Sequence, residues 1–325
     1  MSENCIYYPT TAKPTAGGQF VNEAHVIALR QMGVRAYLLY CSPDASVHYF
    51  ATAAPVLRWY PHMVFDPGDV VVVPEPWKPG LEYFASQPCL KVVHCQNPFY
   101  MFHAFDSIKA VEALGYQLML SCSNFTTQKL RDFGYQAPIY TVRPFIPDYF
   151  YASIDSPGRQ LQIAYMPRKR ANESIFIKGL FKSLYPQFAE IEWVAIENLD
   201  RQQCAGLLQE SAIFLALSFT EGLGLPPLEA MAAGCLVVGF HGLGGVEYAR
   251  DDNGFWVAEG DYEGFVAEIA RAIDVYLNPQ ARGEMQQAAF TMAGEFSEHN
   301  FKQQLTSAWQ SVLGEDYERF LLAAD

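Results

Sequence analysis

The chain of 325 residues is 50% hydrophobic and 18% charged, a globular composition whose length predicts two domains of ordinary size. Its formal net charge of −13 argues against general nucleic-acid binding. The N-terminus lacks a basic region followed by an apolar stretch, and no apolar run approaches the length that spans a bilayer. We therefore expect a soluble, cytoplasmic protein.

Apolar runs without alternation recur through the first half of the chain. Such runs are typical of parallel strands covered by helices on both faces, and they predict a Rossmann-like domain. The predicted strands are residues 5–9, 36–41, 70–74, 91–95, 118–123 and 139–142. No Gly-x-Gly-x-x-Gly follows the first of them, which argues against a dinucleotide redox site.

A glycine pair, Gly17 and Gly18, closes the loop between the first strand and a helical pattern at residues 20–33. Because glycine has no side chain, such a pair lets another group approach the backbone closely. A plain strand-to-helix turn is the other interpretation.

His94 is the histidine that the strand pattern singles out. It closes the strand at 91–95, so we expect its side chain at the carboxyl edge of the sheet, facing a cleft, with Gln96 and Asn97 as further polar groups. A hydrogen-bonded structural histidine is the alternative. The aromatic segment 99–105 that follows favours core packing over an acceptor pocket.

A basic triplet, Arg168, Lys169 and Arg170, follows the first strand of the second half, residues 161–166. Residues 151–325 hold 12 basic and 24 acidic side chains, yet residues 159–182 hold six basic groups and one acid. A positive patch at a strand end in an acidic domain suits an anionic ligand such as phosphate. A solvated basic loop is the alternative.

The stretch IFLALSFTEGLGLPPLEAMAAGCLVVGF, residues 213–240, predicts a strand, a glycine turn, a helix and a second strand. Pro226 and Pro227 suit the first positions of the helix. Free N–H groups at a helix N-terminus favour phosphate. Beside such a site, Glu221 on the loop and Glu229 one turn into the helix can accept bonds from the hydroxyls of a ribose and of a transferable sugar.

Each glutamate also has a structural interpretation. Glu229 could close a capping box, but Pro226 occupies the place that requires Ser, Thr or Asp. Glu221 has Ser218 three residues before it, so a local turn stays open. The occurrence of the pair in a strand–loop–helix context favours a functional site.

EGLGLPPLEAMAAG, with GlyGlyValGlu at 244–247 and AspAsnGly at 252–254, resembles the Glu-x7-Glu donor signature of retaining glycosyltransferases of group 1, or family 4. The resemblance is dense over residues 212–260. It implies the GT-B fold, with two Rossmann-like domains facing a cleft and late helices that cross back to the first domain. It also implies transfer of a sugar from a nucleoside-diphosphate sugar with retention of configuration.

The resemblance implies site residues as well. Glu221, His94 and Arg168 take catalytic positions in it. Donor-binding positions fall on Gly17, Gly18, Arg168, Lys169, Arg170, Gly222, Leu223, Gly224, Leu225 and Glu229. The domains are then 1–150 on the acceptor side, 151–298 on the donor side and a helical segment at 299–325, with a linker at 150–160.

We expect no metal and no cofactor, because no Asp-x-Asp occurs and basic residues can neutralise a diphosphate. Seven cysteines without Cys-x-x-Cys spacing predict buried thiols and no disulfide. The acceptor stays open among carbohydrate, lipid-linked and protein acceptors, as do the oligomeric state and weak membrane association. A GT-B nucleotide-sugar epimerase and a catalytically silent binding subunit are the alternative functions.

Overall fold

The computed structural model of the protein describes residues 4–11, 17–46, 49–50, 53–116, 118–152 and 159–322. The chain forms two compact units. The N-terminal unit comprises Met1–Pro144 and His299–Asp325, and the C-terminal unit comprises Phe145–Glu298. Most of the predicted linker, and the loop before Gly17, lie outside the described residues.

The N-terminal unit is built on a seven-stranded sheet in the order β3-β2-β1-β4-β5-β6-β7. Its strands are β1 (Ile6–Thr10), β2 (Ala36–Tyr40), β3 (Val56–Arg58), β4 (Val70–Pro74), β5 (Leu90–Cys95), β6 (Met119–Ser121) and β7 (Ile139–Thr141). All neighbouring strands pair in parallel. The four valines of β4 are fully buried, as a sheet covered on both faces requires.

Among the described residues, α-helices follow strands β1, β4, β5 and β6 of this sheet. They are α1 (Gly17–Gln31), α2 (Lys78–Ala85), α3 (Met101–Ala104), α4 (Ile108–Ala113) and α5 (Asn124–Asp132). Because α1 begins at Gly17, the glycine pair forms the first turn of the helix, not the loop that the sequence predicts before it. A β-carbon on Gly18 would lie 3.2 Å from Oε1 of Gln96, so this turn packs closely against the end of β5.

The C-terminal unit holds a five-stranded parallel sheet in the order β12-β11-β10-β8-β9. Its strands are β8 (Gln160–Tyr165), β9 (Glu192–Ala195), β10 (Ser211–Leu217), β11 (Leu236–Phe240) and β12 (Phe255–Trp256). Its helices are α6 (Ala171–Leu184), α7 (Arg201–Glu210), α8 (Leu225–Ala232), α9 (Tyr262–Leu277) and α10 (Pro279–Gly294). The strand order reverses beside β8, so the carboxyl ends of β8 and β10 form the crevice where such sheets bind ligands.

The last helix, α11 (Glu298–Leu313), packs in the N-terminal unit. Leu305 and Trp309 on this helix are fully buried. Beyond it, the N–H of Arg35 donates to the carbonyl of Phe320 at 2.8 Å. The chain therefore leaves the first sheet after β7 and returns to it at its end, as the predicted fold requires.

Glycines in the loop after β11 allow two loops of the C-terminal unit to touch. The N–H of Gly244 donates to the carbonyl of Glu221 at 3.2 Å. A β-carbon on Gly244 would lie 2.5 Å from the carbonyl carbon of Gly222, so any side chain there would push the loops apart. The position of Glu221 thus depends on a glycine more than 20 residues away.

We expect Gly244→Ala to lower the free energy of unfolding by about 1–3 kcal/mol, because the backbone of Gly222 cannot move aside cheaply. Urea denaturation followed by circular dichroism measures the change. Gly283→Ala is the matched control. Gly283 lies inside α10 with nothing within 4 Å of an added β-carbon, so the same methyl group should stabilise by about 0.5–1 kcal/mol. Equal effects of the two substitutions would contradict the packing argument.

Candidate functional site

The loop after β8 carries the basic triplet. Pro167–Lys169 form one turn of 3-10 helix there, and Arg168 and Lys169 are exposed. The Nζ of Lys169 is ion-paired with Oε1 of Glu221, which lies on the loop after β10, 52 positions along the chain. The fold thus brings part of the basic loop and the first glutamate of the pair into direct contact.

The backbone of Glu221 is held by the loop after β11. Its N–H donates to the carbonyl of Gly242 at 2.8 Å. The next residue of that loop, Leu243, has a φ of +69°, a left-handed conformation that is costly for a residue with a side chain and persists only where the surroundings enforce it. The Glu221 side chain is 19% exposed. The carboxylate is therefore fixed in position and still accessible to a ligand.

Arg170 differs from its two basic neighbours because its side chain is buried, with 2% exposed. Its guanidinium donates to Oε1 of Glu173 (2.6 Å), Oε2 of Glu259 (2.7 Å) and the carbonyl of Ser218 (3.1 Å). It also lies 4.9 Å from the ring centres of both Phe219 and Phe240. Since all three guanidinium nitrogens are engaged, Arg170 holds the loops together, and Arg168 and Lys169 are the better candidates for an anionic ligand.

Helix α8 begins after Gly224, whose φ of +87° suits glycine. The buried hydroxyl of Tyr248 donates to the Gly224 carbonyl at 3.0 Å and so fixes this turn. Pro226 and Pro227 are the second and third helical residues, and proline has no N–H. The expected row of free N–H groups is therefore shorter than the sequence pattern suggests, and backbone donors to an anion must come from residues 222–225.

Glu229 lies one turn into α8 and is buried, with 5% of its side chain exposed. Its Oε1 accepts a hydrogen bond from Nη2 of Arg201 at 2.5 Å. Burial alone would lower the pKa of Arg201, but the Glu229 carboxylate and the Tyr149 hydroxyl together outweigh burial and raise that pKa. Sequence reasoning missed Arg201. The available signal was an unusual cation at the start of α7, where the helix dipole disfavours positive charge.

His94 lies in the N-terminal unit and is fully buried. Its Nδ1 is 2.7 Å from Oδ1 of Asn22 on α1, and its ring lies 4.7 Å from the ring of His25. Burial lowers the pKa of His94 to about 3, so the imidazole is neutral at pH 7. These surroundings match the structural alternative, a hydrogen-bonded histidine at a strand end, and not a side chain exposed to a cleft.

Gln96 links the end of β5 to the glycine pair. Its Nε2 donates to the carbonyl of Gly18 at 3.0 Å. In the aromatic segment that follows, Met101 and Phe105 are buried, whereas Phe102 is 44% exposed. The segment therefore contributes side chains to the core and also exposes an aromatic ring to solvent.

The predicted site residues fall into two groups. Gly17, Gly18 and His94 lie in the N-terminal unit, around α1 and the end of β5. The C-terminal unit holds the others at the carboxyl edge of its sheet: Arg168, Lys169, Arg170, Glu221, Gly222, Leu223, Gly224, Leu225 and Glu229.

Among the residues that the structure describes, no group of three or more His, Cys, Asp or Glu side chains is placed to hold a metal ion. No helix within the same residues is both long enough and apolar enough to cross a membrane.

The protein has two Rossmann-type units, and the second carries a carboxylate and a basic loop at the carboxyl edge of its sheet. This arrangement is typical of GT-B proteins. A family model described as "Glycosyl transferases group 1" matches residues 191–292, which include both glutamates. The "Alpha-1,6-glucosyltransferase" of Actinobacillus pleuropneumoniae serotype 7 (strain AP76) is 30% identical over 320 residues, covering 96% of each chain. The chain belongs to the group 1 glycosyltransferases and is a glycosyltransferase.

Solved structures support the GT-B fold. Sucrose-phosphate synthase from Thermosynechococcus elongatus superposes with a TM-score of 0.71 at 12% identity, covering 95% of this chain and 99% of that one. HepE of Anabaena, solved in complex with UDP, superposes with a TM-score of 0.67 at 16% identity, covering 95% and 100%. HepE was also solved with UDP-glucose, with a TM-score of 0.66 at 15% identity, covering 94% and 99%.

We expect the protein to lose stability in acid because His94 is buried in its neutral form. Its folded-state pKa, about 3, lies below the ordinary value near 6.5. The stabilisation is therefore complete above pH 6.5 and is lost as pH falls towards 3, by about 2 kcal/mol between pH 8 and pH 5. Urea denaturation across this range measures the slope.

His94→Gln should flatten the slope, although His25, whose pKa burial also lowers, keeps part of it. The control His103→Gln changes an exposed histidine and should behave like the wild type. An unchanged slope in His94→Gln would contradict the assignment of the effect to this residue.

Proposed function

We propose that the enzyme transfers glucose from UDP-glucose to the primary hydroxyl of an acceptor sugar, forming an α-1,6 bond with retention of configuration and without a metal ion. The name of the Actinobacillus relative supports the glucose and the linkage. The complexes of HepE with UDP and UDP-glucose support the donor. An α-1,6 bond requires an acceptor with a primary hydroxyl, such as a hexose, which favours a carbohydrate or a glycosylated molecule as acceptor.

The observation that carries the proposal is the contact between a basic loop and Glu221 at the carboxyl edge of the second sheet. Arg168 is exposed and Lys169 is one-third exposed, so both can reach a diphosphate. When the donor binds, Lys169 would exchange the Glu221 carboxylate for a phosphate oxygen. That exchange frees Glu221 to accept a hydrogen bond from a sugar hydroxyl.

Glu221 has a second role in this proposal. Positive charge develops at the anomeric carbon as the bond to the diphosphate breaks, and a fixed carboxylate nearby stabilises it. Arg168 neutralises the negative charge that develops on the leaving diphosphate. Glu229 accepts hydrogen bonds from the ribose hydroxyls, and the backbone of residues 222–225 donates to the phosphates.

Retention follows from the chemistry of donor and product, since the glucose of UDP-glucose is α-linked and the proposed product is an α-glucoside. No enzymic nucleophile is assigned, so the leaving phosphate itself would guide the acceptor onto the same face. His94 has no role in this proposal, because its side chain is fully buried.

The proposal of metal independence rests on positive charges of the protein that can neutralise the diphosphate. The sequence contains no Asp-x-Asp. The exposed Arg168 and Lys169 lie on one loop, and Lys169 contacts Glu221 just before the turn that leads into α8. These groups, with the positive end of the helix dipole, can neutralise a diphosphate without a divalent ion.

A product assay tests the function. With UDP-glucose and p-nitrophenyl glucosides of both anomers, we expect UDP release with formation of an α-1,6-linked disaccharide, identified by nuclear magnetic resonance. The rate should be unchanged in excess EDTA. A β-linked product, or activity restored only by manganese or magnesium, would contradict the proposal. Interconversion of sugar nucleotides without acceptor would indicate an epimerase, and donor binding without turnover a silent subunit.

The roles of the two glutamates should be distinguishable from the binding of UDP and UDP-glucose and from the turnover rate. We expect Glu221→Gln to leave UDP affinity nearly intact and to lower turnover about 10²–10³-fold, because it removes a preorganised charge near the anomeric carbon. Glu229→Gln should weaken UDP and UDP-glucose alike, since both carry the ribose. Calorimetry with the two ligands and initial rates measure these effects. Loss of UDP binding in Glu221→Gln, or normal binding in Glu229→Gln, would show that the roles are wrongly assigned.

A further inference from the structure

Among the described residues, the side chain that holds the carboxylate of Glu229 is Arg201. The two residues are 28 positions apart and meet across the start of α7 and the first turns of α8. Glu229 is 5% exposed and Arg201 is 20% exposed. A carboxylate buried to this degree requires a charge partner, because burial of an unpaired ion is strongly unfavourable.

Arg201 is itself held on its other side by the segment that opens the C-terminal unit. Its Nε donates to the hydroxyl of Tyr149 at 3.4 Å, and its guanidinium lies 5.4 Å from the ring centre of Phe150. Gln209, two turns further along α7, donates to the Tyr149 carbonyl at 2.9 Å and so anchors that segment to the same helix. The guanidinium therefore cannot turn freely, and neither can the carboxylate bound to it.

We propose that Arg201 is a positioning residue for nucleotide recognition, which aims the Glu229 carboxylate at the ribose hydroxyls and thereby sets the preference for a ribonucleotide donor. This inference rests on the proposed role of Glu229. Each carboxylate oxygen has two lone pairs, so one bond to Arg201 leaves acceptor capacity for a ribose diol. A carboxylate already fixed and largely dry loses little freedom or hydration when a ligand binds.

A purely structural ion pair predicts a different behaviour. If Arg201 only stabilised the packing of α7 against α8, its substitution would weaken the binding of all nucleotides equally or of none. If Arg201 contacted the diphosphate itself, its loss would weaken every diphosphate, with or without ribose hydroxyls. Only the positioning role predicts that the loss of affinity depends on the ribose hydroxyls.

The experiment compares UDP with 2′,3′-dideoxyuridine diphosphate by calorimetry on the full chain. We expect Arg201→Met to weaken UDP binding about tenfold, the scale of one hydrogen bond to a charged group, and to change the dideoxy ligand less than twofold. Arg201→Lys keeps the charge and should restore part of the discrimination. Arg271→Met is the matched control: it removes an exposed arginine paired with Glu268 on α9 and should leave both affinities unchanged.

Glu229→Gln separates this inference from the proposed function. If Glu229→Gln no longer discriminates between UDP and the dideoxy ligand and Arg201→Met still does, the inference fails and the role of Glu229 stands. If Glu229→Gln keeps discrimination, the ribose role itself fails. Equal weakening of both ligands in Arg201→Met would overturn the positioning role. Should Arg201→Met not fold, the uncharged variant Arg201→Gln takes its place, and a ratio of the two affinities equal to that of the wild type then overturns the proposal.

Discussion

The buried guanidinium of Arg170 is the interaction on which the carboxyl edge of the second sheet depends. It donates to the carbonyl that follows β10, to a carboxylate after β12 and to another on α6. It also lies 4.9 Å from the centres of two aromatic rings, one of them that of the last residue of β11. Four chain segments therefore converge on one planar cation. Lys169 directly precedes Arg170, and Glu221 lies on the same loop as Ser218. The geometry of the candidate site therefore depends on a residue whose three guanidinium nitrogens are all engaged within the protein.

The C-terminal unit places each of its two key glutamates against a cation, Glu221 against Lys169 and Glu229 against Arg201. The pairing has a physical reason, since two unpaired carboxylates would repel the diphosphate of the proposed donor. The two pairs differ in burial. The accessible Lys169 pair can open and exchange partners with a ligand, whereas the buried Arg201 pair is costly to break and acts as a fixed support.

Much of the fold was predictable because buried parallel strands and capped helices have local signatures. Predicted strands such as 70–74 coincide with the observed ones, and α11 begins within one residue of the predicted helical segment 299–325. The strands β3 and β12 were missed, because three exposed residues and a pair of aromatic residues do not form an apolar run. The start of α1 was misplaced because glycine disfavours helices, and tertiary packing against Gln96 overrides that preference.

The sequence by itself determined the class of the protein. The spacing of Glu221 and Glu229 around a glycine and proline turn is a local pattern, which can be recognised without knowing any tertiary contact. Only the tertiary structure decided which cation serves which purpose. Arg168, Lys169 and Arg170 are neighbours with equal charge, and nothing local distinguishes them. Lys169 and Arg170 find partners on loops 48 to 89 residues away, and Arg201 pairs with Glu229 at a separation of 28 residues. Such pairs form between segments that only folding brings together.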